Sequence, residues 1–156
     1  MAKKYWLVKS EPEVFSITDL RKAKNQTTCW DGVRNYQARN YMRDEMKKGD
    51  EVLFYHSNSE PPAVTGLCEV VKEGYPDYTA FDPEDKHYDP KSKKENPAWM
   101  MVDIKLKSVF VNQVTLPQIK GNKKLSQMKL LQRGSRLSVM PLEKEEFEEI
   151  IRMSAK

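Results

Sequence analysis

Tyr5, Trp6, Leu7 and Val8 stand in a row between Lys4 and Lys9. A short aromatic and branched run of this kind predicts a strand. Ser10-Glu11-Pro12 closes it, because proline lacks the N–H that a ladder requires. Ser16 with Asp19 three residues on has the pattern of a capping box, predicting a short helix through Leu20 and Ala23. Residues 25–28 read as a polar connector delivering Cys29 and Trp30. Ala38, Met42, Glu45 and Met46 then recur at helical spacing, predicting a helix over 35–48 with Asn35 as N-cap and Gly49 as its stop. Residues 51–56 predict a second strand, 57–62 a loop, and 63–71 a third strand that forms an antiparallel hairpin with the second. Gly66 inside the third strand predicts a bulge or a close backbone approach.

The pattern changes at Tyr75. Residues 75–96 are polar and proline-rich, which predicts an ordered surface loop with one short helical turn, anchored by Tyr75, Tyr78, Phe81 and Tyr88. Over 99–110, Met100, Val102, Ile104 and Leu106 alternate with polar positions, predicting a long strand with its even-numbered side chains inward. Two short helices are expected at 116–119 and 125–131, and a last strand at 136–140. Pro141 is expected to open an acidic helix with Phe147, Ile150 and Ile151 on one face. The sum is an α+β domain: a small curled mixed sheet or open barrel flanked by short helices, with residues 1–156 as one domain.

Composition narrows the class. A chain of 156 residues, 38% hydrophobic and 32% charged, suits one soluble domain with a full core. No run approaches the roughly 18 apolar residues of a membrane span, and no signal-peptide region opens the chain. A protein of the cell interior, with no membrane partner, is therefore expected. The short N-terminus, without a long basic extension, tilts that expectation toward a bacterial cytoplasm and away from a nucleus. Cys29 and Cys68 are too few for a disulfide framework. A formal net charge of +4 permits a nucleic-acid partner without requiring one. The final helix is acidic and the body basic, which points to an anionic ligand.

The densest stretch for chemistry is 29–40, Cys29-Trp30-Asp31-Gly32-Val33-Arg34-Asn35-Tyr36-Gln37-Ala38-Arg39-Asn40. A Trp at a turn, followed by a helix start with Arg34 beside it, sets a flat apolar surface near an anion-binding end. A nucleobase with its phosphate needs that pair. Arg39, Arg43 and Lys47 recur every fourth residue and form a basic stripe if the helix is regular. The sequence equally allows Trp30 as a core residue, Arg39 on a merely solvated face and Asp31 as a turn residue.

Catalytic signatures are absent. Ser10, Cys29, Ser57 and Cys68 could be nucleophiles, yet none sits in a nucleophile motif, and His56 is the better placed of two histidines. His87 falls in the polar loop. Two His and two Cys share no metal-ligand spacing, and the six glycines never cluster as a phosphate loop. No metal and no cofactor are expected.

Three runs are specific enough to carry a resemblance: Trp6-Leu7-Val8-Lys9-Ser10-Glu11-Pro12, Trp30 through Asn40, and Gly49-Asp50-Glu51-Val52-Leu53-Phe54-Tyr55-His56-Ser57-Asn58. Gly66-Leu67-Cys68-Glu69-Val70, Tyr75-Pro76-Asp77 and Arg136-Leu137-Ser138-Val139 add to them. The chain resembles the EVE domain, a relative of the YTH and PUA domains, over nearly its whole length. The resemblance implies a PUA-like fold and a reader of modified bases in DNA or RNA, modified cytosines among them. In the related YTH domains a methylated adenine enters an aromatic cage, and Trp30 falls at the position of one cage Trp. Asn58 falls near a polar loop position of those domains.

On this reading Trp30 stacks the base, at the mouth of a hollow with positive potential. Ser10, Tyr55, Ser57, Asn58 and Asp77 supply edge contacts, with Gly32, Val33, Asn35, His56 and Pro76 completing the pocket. Lys9, Arg34, Arg39 and Arg43 meet phosphates. The expected protein is a monomer that binds a nucleic acid carrying a modified base. The alternative is an enzyme acting on a modified base or nucleotide, with His56 or Asp77 as acid or base.

Overall fold

The computed structural model describes residues 3–132 and 137–155. Its strands are β1 (Tyr5–Ser10), β2 (Thr27–Cys29), β3 (Glu51–His56), β4 (Ala63–Pro76), β5 (Met100–Thr115) and β6 (Val139–Leu142). The helices are α1 (Ile17–Lys22), α2 (Tyr36–Asn40), α3 (Leu116–Lys120) and α4 (Lys144–Ser154). The strands form one sheet in the order β2-β5-β4-β3-β1-β6. Only β1 against β3 is parallel; the pairs β1–β6, β2–β5, β3–β4 and β4–β5 are antiparallel.

The expectation of a curled sheet or open barrel is corrected here. The sheet is mixed and flanked by short helices, but it is neither closed into a barrel nor strongly curled. Closure would need β2 to meet β6, and these two lie at opposite ends of the strand order. Neither could form a long seam: β2 has three residues, and β6 carries Pro141, which has no N–H to donate.

Burial follows sheet position. β3 lies inside the sheet, and Val52, Leu53 and Phe54 are wholly buried. Trp6 of β1 is buried too, and its Nε1–H donates to Asp50 Oδ2 at 2.9 Å. Gly66 stands at a register shift between β4 and β5, where a Cβ would come within 2.8 Å of the Ser108 carbonyl oxygen. In β5 Val102, Ile104 and Leu106 are buried as the alternation predicts, Val114 is buried further along, and Met100, expected inward, is only half-buried. Near the start of the strand Met101 is the buried residue, opposite a further register shift between Lys72 and Tyr75 of β4.

Helix α1 begins as its sequence requires. Ser16 Oγ accepts from the Asp19 N–H at 3.1 Å, and the Asp19 carboxylate accepts from the Ser16 N–H at 2.8 Å. Ser16→Ala should cost about 1 kcal/mol, the usual value of an N-cap, read from urea unfolding of the two proteins.

Other elements depart from the pattern. The helix expected over 35–48 is α2 followed by a wide π turn, Tyr41–Glu45, and it ends at Met46. That turn lies against β4, where a Cβ on Gly74 would be 2.6 Å from the Met42 carbonyl oxygen. The basic stripe is broken accordingly, because Lys47 lies beyond the helical residues. Where a helix was expected over 125–131, two short 3-10 turns form instead, Lys123–Leu125 and Lys129–Leu131. Pro141 pairs opposite Trp6 in edge strand β6, and α4 begins after it. Arg136, the expected start of the last strand, lies outside the described residues.

Candidate functional site

An open cleft of about 760 Å³ lies between the turn after β1, the segment 28–33 and the loop 84–87. Segment 28–33 is held at the sheet by β2 and by the Trp30 N–H, which donates to the Val102 carbonyl at 2.7 Å. Trp30 is 8% exposed and lines the cleft, and its ring packs edge-on against Phe54 with centroids 5.6 Å apart. It is therefore both a core residue and a wall. Phe15 lines the cleft as well and lies 6.4 Å from Phe54. Its turn is fastened by Ser10, whose Oγ–H donates to the Phe15 carbonyl at 2.6 Å. Phe15 was not singled out in the sequence; its place after the proline turn at the end of β1 is the signal that could have found it.

The loop after Trp30 is clamped from below. Asp77 is fully buried and follows β4 directly. Its Oδ2 accepts from the Gly32 N–H at 2.7 Å and from Arg34 Nη1 at 3.0 Å. Its Oδ1 accepts from the Thr79 N–H at 2.9 Å and the Thr79 hydroxyl at 2.6 Å. Burial pushes the Asp77 pKa up, but the hydrogen bonds from Thr79, Gly32 and Arg34 outweigh it, and the net shift is downward. Arg34 also donates twice to the His87 carbonyl, at 2.6 and 3.1 Å, and so ties the loop 84–87 to the same clamp. Gly32, at φ +74°, lies beneath the His87 imidazole.

A stack of aromatic and cationic groups extends from this clamp. Arg34 lies 5.3 Å from the Trp99 ring centroid, Trp99 stacks on Tyr36 at 4.7 Å, and Arg39 lies 4.9 Å from the Tyr36 ring. Trp99 Nε1–H donates to Asp89 at 2.6 Å. Trp99 thus joins α2 to the polar loop and is not a wall of the cleft.

The cleft is mixed in charge. Among the described residues Glu11, Asp31, Glu84 and Asp85 line it against Lys9 and Lys86, which does not give the positive mouth expected: the loop 84–87, distant in sequence, brings two of these carboxylates. Burial holds the Asp31 pKa above its ordinary range, and the neighbouring Asp77 adds to the shift, while His87 opposes it. Burial lowers the Lys9 pKa, and no carboxylate of the described residues lies within 4 Å of its ammonium. Burial also raises Cys29.

Of the residues picked from sequence, Lys9, Ser10, Trp30, Gly32 and Val33 line the cleft together. The others are placed elsewhere. Asn35 caps α2 by accepting from the Ala38 N–H at 3.0 Å. Tyr55 is buried, and His56 Nε2 accepts from the Ile17 N–H at 3.0 Å, in keeping with a pKa lowered by burial. The Ser57 N–H donates to the Ser10 carbonyl, Asn58 takes a left-handed φ of 56°, and Pro76 ends β4 opposite Met100. Arg39 donates to the Ala98 carbonyl at 2.8 Å, and Arg43 is paired with Asp44 at 2.9 Å. Among the described residues no group of three or more His, Cys, Asp or Glu side chains could hold a metal ion. Nor is any described helix long and apolar enough to cross a membrane.

Human thymocyte nuclear protein 1 is 44% identical over 169 residues, covering 97% of this chain and 74% of that protein. The crystal structure of human THYN1 protein in complex with 5-methylcytosine containing DNA matches with a TM-score of 0.92 and 45% identity, covering 99% of each chain. A hypothetical protein from Leishmania major matches with a TM-score of 0.92 and 48% identity, covering 99% of this chain and 96% of that one. The name thymocyte nuclear protein 1, shared by relatives from human, rat, zebrafish, mouse and chicken, points to a nucleus and corrects the expectation of a bacterial cytoplasm. That expectation rested on the lack of a long basic N-terminal extension, a feature outside the folded domain that these relatives share. The EVE domain profile matches residues 4–153, from the residue before β1 to the last turn of α4. With that match and these relatives, the chain belongs to the EVE domain family.

Proposed function

We propose that this chain is a nucleic-acid-binding module that takes a modified base of DNA or RNA into the cleft beside Trp30. One observation carries the reading: Trp30 lines an open cleft, in a chain 45% identical to human THYN1 protein held with 5-methylcytosine containing DNA. A base drawn into the cleft regains stacking on the indole, on the order of 1–3 kcal/mol. A methyl group adds about 0.8 kcal/mol by burial. Ser10, Gly32 and Val33 line the cleft around the proposed base, and Lys9 and Lys86 are the cations at hand for phosphate. Asp77, Arg34 and Asn35 serve by holding the loop. The whole chain is read as one domain, supported by a continuous core running from Trp6 to Ile150. The enzyme reading loses its two residues: His56 Nε2 is taken by a backbone N–H, and Asp77 is saturated and buried.

Binding of labelled oligonucleotides with and without 5-methylcytosine, followed by fluorescence anisotropy at two salt concentrations, tests the reading. Trp30→Ala is expected to weaken binding by about ten- to hundredfold at either salt, as loss of one stacked base does, with folding checked by circular dichroism. Trp30→Phe, which keeps a smaller ring, should fall between. Affinity of the parent should drop as salt rises, because counterions are released from the phosphates. A Trp30→Ala protein that is folded and binds as tightly as the parent would end the proposal.

A further inference from the structure

We infer that the Asp31 carboxylate is the acceptor for the exocyclic amino group of the bound base, so that the cleft takes an amino-bearing base over an oxo-bearing one. The inference rests on the base-pocket reading above. Asp31 follows Trp30 in the chain and lines the same cleft, half-buried. The sequence suggested a turn role, but the turn is served otherwise: the Gly32 N–H donates to Asp77. Among the described residues no other side chain donates a hydrogen bond to the Asp31 carboxylate, and no cation lies within 4 Å of it. Asp77 and Asp85 add negative charge to its surroundings, with His87 acting against them.

An acceptor held in such a place has one kind of fitting ligand. Along the cleft Glu11, Asp31, Glu84 and Asp85 outnumber Lys9 and Lys86, so a phosphate is disfavoured beside Asp31 and the base is the part that enters. Cytosine offers its N4 amino hydrogens at the edge, and a carboxylate accepts from them. Thymine has the same ring and the same 5-methyl group but places its O4 acceptor there, leaving two acceptors face to face. Stacking on Trp30 and burial of the methyl group cannot tell these two bases apart. Asp31 can. Burial is the chief cause that raises the Asp31 pKa, while His87 and the Asp31 backbone N–H pull it the other way.

The test uses single-stranded oligonucleotides identical except for one position, which holds 5-methylcytosine or thymine, with affinity read by fluorescence anisotropy. The parent should prefer 5-methylcytosine by about tenfold or more, the range of a matched against an unmatched edge. Asp31→Asn should bring the ratio within about threefold, because an amide can turn its NH2 group to O4 or its oxygen to N4. Asp31→Ala should also bring the ratio near one, chiefly by weakening 5-methylcytosine. Thermal melts of both variants establish that they fold. A folded variant that keeps the parent's ratio overturns the assignment, as does a parent that binds both oligonucleotides equally. A parent that binds neither oligonucleotide overturns the base-pocket reading itself and Asp31 with it, a result distinct from binding without preference.

Discussion

Asp77→Ala is expected to destabilise the fold by about 3–5 kcal/mol, the cost of removing one partner from a buried, hydrogen-bonded ion pair. The carboxylate accepts four hydrogen bonds, and its removal strands the Gly32 N–H and the inner face of the Arg34 guanidinium. Arg34 would be left as the larger liability, a cation held at the His87 carbonyl without its counter-charge. The effect on ligand should exceed the effect on fold, since Gly32 and the loop 84–87 both form the cleft and both depend on this clamp. The pH dependence has a definite direction. The Asp77 pKa in the folded protein lies below its ordinary value, so the stabilisation is complete above the unfolded carboxylate range, near about 4. It is lost as pH falls through the folded value. Urea midpoints at about pH 7 and about pH 3 should therefore separate the parent from Asp77→Asn by much more at the higher pH. Equal separations at the two values would show that the carboxylate's charge is not what the clamp uses.

Arg34 shows where a linear sequence stops being informative. A guanidinium beside a helix start reads as an anion site, and nothing nearby in the chain argues otherwise. Its partner Asp77 lies 43 positions on, and its other acceptor, the His87 carbonyl, lies 53 positions on. Elements fixed by neighbours were legible: the Ser16–Asp19 box, the Asn35 cap, the β3–β4 hairpin and the close approach at Gly66. Strand β2 was not. Thr27–Cys29 has no apolar alternation, and it is a strand only because Asp103, Ile104 and Lys105 pair with it. Helix α2 is short for a similar reason, since the backbone of Gly74 lies directly against the π turn that follows it. Pro141 read as a helix start because proline favours that position, yet an unpaired sheet edge tolerates it equally. At the cleft, Lys9, Ser10, Trp30, Gly32 and Val33 are close in sequence to the two runs that form two of its walls, and they could be named. The third wall, Glu84 to His87, comes from a polar loop whose position depends on Arg34 and Trp99, so composition alone left it blank.

Gly32→Ala is expected to cost about 2–5 kcal/mol, from two separable causes. The first is backbone conformation: at φ +74° an L side chain carries a penalty of about 1–2 kcal/mol. The second is space. A Cβ built on Gly32 would lie 2.4 Å from His87 Cε1, 2.6 Å from Nε2 and 2.7 Å from Nδ1, and overpacking of this kind costs about 1–3 kcal/mol. The ring cannot simply slide away. The His87 backbone is held by two Arg34 bonds to its carbonyl and by its amide N–H, which donates to Asp85 Oδ1 at 2.8 Å, and the ring Nδ1 lies 3.4 Å from that same oxygen. Displacing it would move the third wall of the cleft, so affinity for a 5-methylcytosine oligonucleotide should fall together with stability. A double-mutant cycle separates the causes, because His87→Ala removes the ring that the new methyl group strikes. In the His87→Ala background, Gly32→Ala should cost only the conformational part, about 1–2 kcal/mol in urea unfolding. An undiminished cost in that background would show that the imidazole does not rest on Gly32, and that this wall of the cleft is held by something other than the contact described.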